Sequence, residues 1–190
     1  MKIFFKKIIT LILEIESRIV LQKYNPTIIA VTGSVGKTST KDAIYTVMSS
    51  SSLSVRKSEK SFNGEIGLPL TILGCKNAWN NPLAWLGNIL SGIEMIIFKT
   101  KYPKCLILEI GADHPGDIRR ITKWLKPDIA VMTKISEVPV HVEFFSSPEE
   151  LFKEKSYLAK ALKKNGTIVF SNDNIKIRAL IKEVALDHLH

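Results

Sequence analysis

The residues whose chemistry is clearest from type and spacing are Lys37 and Thr38, which close the run T-G-S-V-G-K-T at residues 32–38. Ile28, Ile29, Ala30 and Val31 precede it as a short apolar strand, and helix-forming sequence follows it. A strand, a glycine-bearing turn and a helix N-terminus gather backbone N–H groups and the positive end of a helix dipole around one point, which suits a polyphosphate. Gly33 and Gly36 let the backbone come close without a side chain in the way. Lys37 would reach the terminal phosphates, and the Thr38 hydroxyl would coordinate Mg²⁺. Ser34, Val35 and Ser39 complete the cradle. The spacing departs from the common G-x-x-x-x-G-K-[ST] pattern: Val31 stands where the first glycine would fall, and the glycine sits at Gly33.

A nucleotide with Mg²⁺ calls for a second oxygen ligand from a neighbouring strand. Residues 104–111, KCLILEIG, form a continuous apolar run of the kind buried in parallel sheets. Glu109 ends that run, at the strand edge where open α/β sheets bind ligands. A carboxylate there is costly to bury without a cation, so a metal role is the reading its position favours. His141, in PVHVEFF at residues 139–145, offers an imidazole just after the strand at 129–133. Taken alone, such a histidine is more often a satisfied surface or core residue than a ligand. Lys155 is one of five lysines in and just after the helix at 146–162, and spacing alone does not separate it from a solvated charge.

These residues need elements to position them. The 190 residues suit one domain, with 45% hydrophobic content that argues against disorder. A chain of this size buries roughly 70% of its unfolded surface and needs no staples. Apolar runs ending in glycine, proline or asparagine turns alternate with helical stretches. The pattern predicts an α/β fold: a P-loop-type, mostly parallel sheet with helices on both faces, three layers in all. Strands are expected at 28–31, 53–56, 104–111, 129–133 and 167–171. Helices are expected at 3–24, 37–50, 66–73, 83–98, 115–125, 146–162 and from 175 onward. Ser147 reads as an N-cap, with Pro148 first in the helix and Glu149 and Glu150 in its first turn. Residues 75–103 are the least readable stretch.

The net charge of +9, from 27 Lys and Arg against 18 Asp and Glu, favours anionic partners without choosing among them. No nucleic-acid module is present in the sequence, so nucleic acid is not an expected partner. Cys75 and Cys105 lack metal-ligand spacing and read as reduced thiols of a cytoplasmic protein. Residues 1–26 form an N-terminal amphipathic helix and linker ahead of the domain at 27–190. The apolar run at 8–13 ends at Glu14 and Glu16 with no small-residue cleavage site, which argues against a signal peptide. Such a basic, aromatic helix packs on its own domain or on a partner, or makes peripheral membrane contact through residues 1–24.

In order along the chain, VTGSVGKTSTK (31–41), SFNGEIGLPLTIL (61–73), LEIGADHPGDI (108–118), KPDIAVMT (126–133), HVEFF (141–145) and NGTIVFSNDN (165–174) resemble the central ATP-binding domain of the Mur ligases. That family makes amide bonds at the expense of ATP in peptidoglycan precursor synthesis. The likeness is nearest to the members that add a dipeptide to a UDP-muramoyl peptide. It implies that Lys37 and the backbone at 33–38 hold the β- and γ-phosphates, and that Thr38 and Glu109 bind Mg²⁺. It further implies that His141 binds a second Mg²⁺ together with a carbamylated Lys155. Asn172 would face the adenine, and Phe62 and Asn63 would approach the acceptor substrate. The implied reaction runs through an acyl phosphate that an amine then opens.

The family's uridine-nucleotide domain is expected to be absent or replaced by the first helix. Its C-terminal domain, which activity requires, is expected to be absent as well. Lys134 stands where the family often has Asn. A ligase of the same mechanism on another substrate, and a non-catalytic nucleotide-binding module held at a membrane, are the alternatives.

Overall fold

The computed structural model describes residues 2–59, 62–135, 144–171 and 175–187. Five parallel strands form one sheet in the order β2-β3-β1-β4-β5: β1 Thr27–Thr32, β2 Val55–Lys57, β3 Cys105–Glu109, β4 Ile129–Met132 and β5 Thr167–Phe170. The central strands are the most apolar, as they must be when both faces are covered. Val31 pairs with Glu109, and Thr32 with Met132. This register brings the ends of β1, β3 and β4 to one edge of the sheet.

The period-2 alternation of each strand sorts the core into two sides. Ile29, Val31, Ile107 and Val131 point towards α2, Lys37–Ser49, and meet Ile44, Tyr45 and Met48. Ile28, Ala30, Leu106 and Leu108 point the other way, into the largest cluster. That side is covered by α1 (Lys2–Tyr24), α3 (Gly67–Leu73), α4 (Pro82–Ile97), α5 (Asp117–Ile121) and α6 (Pro148–Lys160). Helix α7, Ile175–Asp187, packs Ile177, Leu180 and Val184 beside Met132. The architecture is the expected α/β sandwich, and the sheet is parallel throughout.

Local chemistry sets the helix ends. The Ser147 hydroxyl accepts the amide of Glu150 and Pro148 opens α6, as its sequence requires. Asn81 caps α4 through the amides of Leu83 and Ala84. Two expectations are corrected in extent. The helix foreseen over 115–125 is regular only at Asp117–Ile121, after which Trp124 and Leu125 turn back to bury against the core. Strand β2 starts at Val55, because the exposed residues 51–54 are still completing the turn from α2. Within the least readable stretch, 75–103, the helix expected at 83–98 forms as α4 and lies on α1. Gly92 allows this close approach, since a Cβ there would fall 2.2 Å from Glu16 Oε2. Among the described residues, no helix is long and apolar enough to cross a membrane.

Candidate nucleotide-binding site

The turn after β1 is built around two glycines. Gly33 has φ of 150° and lies against Thr133, so a Cβ there would fall 1.9 Å from Thr133 Oγ1. Gly36, at φ 83°, is the N-cap of α2 and supplies no side chain to the helix end. The first amides of α2 therefore have neither intrahelical acceptors nor a side-chain cap, and this helix start is open to an anion. The Thr133 hydroxyl ties the turn to β4 by donating to the carbonyls of Thr32 and Val35. The amides of Ser34 and Val35 are directed at the Lys134 carbonyl, so the open donors of the cradle lie from Gly36 onward.

Polar side chains converge on the turn from three other elements. Thr38, in the first turn of α2, donates its hydroxyl to Glu109 Oε2 over 2.9 Å. Glu109 is buried at the end of β3, and the Ser58 hydroxyl accepts its backbone amide. Lys155 reaches in from α6 and donates to the Gly33 carbonyl at 2.9 Å. The Lys37 ammonium bends back to the Ser34 carbonyl at 3.5 Å. Burial, and after it the nearby charge of Lys37, pulls the Lys155 ammonium down to about 8, with Glu154 opposing. Glu154 fixes where Lys155 points. Its carboxylate accepts the amides of Gly116, Ile118 and Arg119, locking α6 to the start of α5.

Lys41 is a member of this site that spacing did not single out. It is 1% exposed, and its Nζ lies 3.4 Å from Glu109 Oε2 and 3.7 Å from Asp42. The available signal was its place one turn beyond Lys37 and Thr38 on the same helix face. Glu154 and Ser58 carried no local signal, because their partners come from distant segments.

The structure thus brings together Gly33, Ser34, Val35, Gly36, Lys37, Thr38, Ser39, Glu109 and Lys155. His141 and Asn172 lie outside the described residues. Phe144, which follows His141 by three, packs its ring on His114 with centroids 4.2 Å apart. The Asn63 carbonyl accepts the Gly111 amide, which sets the 62–63 loop beside the end of β3.

The donor set fits a phosphate and a hard cation. Adjacent oxygens of an octahedral Mg²⁺ shell lie about 2.9 Å apart, given bonds of roughly 2.0–2.1 Å. Thr38 Oγ1 and Glu109 Oε2 already have that separation. Ser34 Oγ and Thr32 Oγ1 are buried and have no hydrogen-bond partner among the described residues. Of the described residues no three His, Cys, Asp or Glu cluster, so a cation here would draw its other ligands from phosphate and water.

A parallel sheet whose central strand runs into a glycine turn and an open helix start, with a hydroxyl and a carboxylate alongside, defines a P-loop-type nucleotide-binding domain. Residues 31–84 and 87–189 match the Mur ligase middle domain, and the chain belongs to that family. It is 31% identical over 165 residues to the UDP-N-acetylmuramoyl-tripeptide–D-alanyl-D-alanine ligase of Rickettsia prowazekii, covering 85% of this chain and 31% of that protein. With the enzyme of the same name from Bacillus subtilis it shares 31% over 153 residues, covering 80% of this chain and 28% of that one. Among solved structures, the MurF ligase of Thermotoga maritima in complex with ADP superposes with a TM-score of 0.68 at 29% identity, covering 94% of this chain and 34% of that one. The chain spans about a third of the length of the relatives it matches.

Proposed function

We propose that this chain is the nucleotide-binding part of an ATP-dependent amide ligase of peptidoglycan precursor synthesis, joining a dipeptide to a UDP-muramoyl peptide. The observation that carries the reading is the Thr38–Glu109 pair at the mouth of the glycine turn, with Lys37 and Lys155 beside it. The relatives' names supply the substrate class.

On this reading the first step joins two anions, a substrate carboxylate and the γ-phosphate. The domain's work is then alignment and charge neutralisation. The amides at the start of α2 and the Lys37 ammonium hold the phosphates in line. Thr38 and Glu109 would hold Mg²⁺, whose charge would be supplied to the phosphate oxygens. Lys41 pairs with the buried Glu109 carboxylate and orients it. Carbamylation by CO₂ requires a neutral amine, and Lys155, held near 8, offers far more of it at neutral pH than an ordinary lysine. The family resemblance would give His141 a role at a second Mg²⁺ with Lys155, and Asn172 a role against the adenine. The acyl phosphate so formed is opened by the dipeptide amine, which takes the acyl group as phosphate departs. Turnover requires the further domains that the full-length relatives carry.

Titration calorimetry with ATP tests the assignment. Binding is expected to need Mg²⁺ and to weaken about 10- to 150-fold in Lys37→Ala, the range set by roughly 1.5–3 kcal/mol for a hydrogen bond to a charged group. Equal affinity for both proteins would remove the phosphate-loop assignment.

A further inference from the structure

The outward side of the α1–α4 pair plays no part in the nucleotide site. Lys23 Nζ meets the carbonyls of Met95, Ile96 and Phe98, and Glu16 lies against Gly92, so the two helices run in the same direction in one register. Helical periodicity then sets an exposed row on each beside the other. On α1 the row is Ile8, Leu11, Ile15 and Ile19; on α4 it is Leu83, Leu86, Leu90, Ile93 and Ile97. Leu83 is 78% exposed and Ile97 64%, and side-by-side rows of exposed apolar side chains mark an interaction surface.

The surroundings of this face are basic. Lys6, Lys7, Lys99 and Lys101 are exposed at its ends. Of the acidic residues in the two helices, Glu14 and Glu16 are buried, and Glu94 alone is exposed. The row through Leu11 and Ile15 continues, at the same spacing, to Arg18 and Gln22. Both line a pocket of about 420 Å³ whose other walls include Lys123, Trp124, Lys126 and Lys163. Arg18 lies over the Trp124 ring at 5.8 Å and pairs with Glu14; Lys163 pairs with Asp128. Lys123 and Lys126 have no ion pair among the described residues.

We propose that this face docks the protein on a bilayer rich in anionic phospholipid, with the apolar rows of α1 and α4 at the headgroup boundary and a lipid phosphate in the basic pocket. An apolar stripe between cationic flanks is what an interfacial helix pair presents to such a surface. A second copy fits less well, since symmetric pairing would set the lysine flanks against each other.

Flotation with lipid vesicles tests the proposal. The protein is expected to rise with vesicles of mixed phosphatidylcholine and phosphatidylglycerol, to be released by added salt, and to stay behind with phosphatidylcholine alone. Lys123→Gln/Lys126→Gln should weaken partition roughly 30-fold, and Leu90→Ser/Ile93→Ser at least about tenfold. All four residues are exposed, so unchanged melting curves and ATP affinity exclude misfolding as the cause. Absence of vesicle binding, equal binding to both lipid mixtures, or indifference to these substitutions would overturn it. So would a dimer that Leu90→Ser/Ile93→Ser dissociates while vesicle recovery stays nil.

Discussion

Lys41→Met is the perturbation that tests the internal logic of the site most directly. The side chain is 1% exposed, and its ammonium faces a Glu109 carboxylate whose side chain is 8% exposed, at 3.4 Å. Removing one member of a buried pair leaves the other charged without compensation, at a cost of about 3–5 kcal/mol. Against the roughly 5–15 kcal/mol that holds a domain folded, that is a large fraction. Urea unfolding followed by circular dichroism would measure it in Lys41→Met, in Glu109→Gln and in the double variant. If the two side chains stabilise each other, the double variant loses less than the sum of the singles, by about 1–3 kcal/mol. Mg²⁺ adds a second readout. In Lys41→Met the orphaned carboxylate gains from a divalent cation, so Mg²⁺ should raise the urea midpoint more in this variant than in the wild type. A loss below about 1 kcal/mol for Lys41→Met, or strict additivity of the two substitutions, would refute the pairing and the metal role built on Glu109.

Two further outcomes are expected. Gly33→Ala puts a methyl group into the space of Thr133 Oγ1 and an L side chain at φ 150°, so it should cost about 1–3 kcal/mol in strain and weaken ATP binding. Adding Thr133→Ala should recover part of that stability in the same urea assay. For Lys155 the folded-state pKa lies below the ordinary value, at about 8 against 10.5, so the unfolded chain binds the extra proton between them. Stability should therefore rise with pH across that window, while below about 8 the cost of the buried charge is fully present. Urea midpoints taken from pH 7 to 10.5 should show the rise in wild type and its absence in Lys155→Met.

The elements and the core of the site were legible because their signals are local. A β-branched run before two glycines and a Lys-Thr pair specifies a strand, a turn and an open helix start within a dozen residues. Ser147-Pro148 marks α6 as clearly, and the apolar run before Glu109 marks the strand end that a ligand can reach. The helix at 83–98 was legible as a helix, but not the face it buries, because α4 exposes one apolar row and buries another against α1. Its pattern is therefore nearly apolar all round, and no period could assign it a face.

The amino-acid order by itself determined the alternation of strands and helices, the phosphate turn, and a carboxylate waiting at the end of β3. Only the tertiary structure decided that Glu109 meets Thr38, a pairing that spans 71 positions and depends on β1 and β3 lying side by side. Spacing left Lys155 one of five similar lysines and only the family resemblance marked it; the fold buries it against the Gly33 carbonyl while Glu154 clamps its helix to α5. Lys41 became a buried partner of Glu109 in the same way. A lysine's spacing along a helix says which face it occupies, but its charge state and its role depend on what the sheet and the neighbouring helices place within a few ångströms of it.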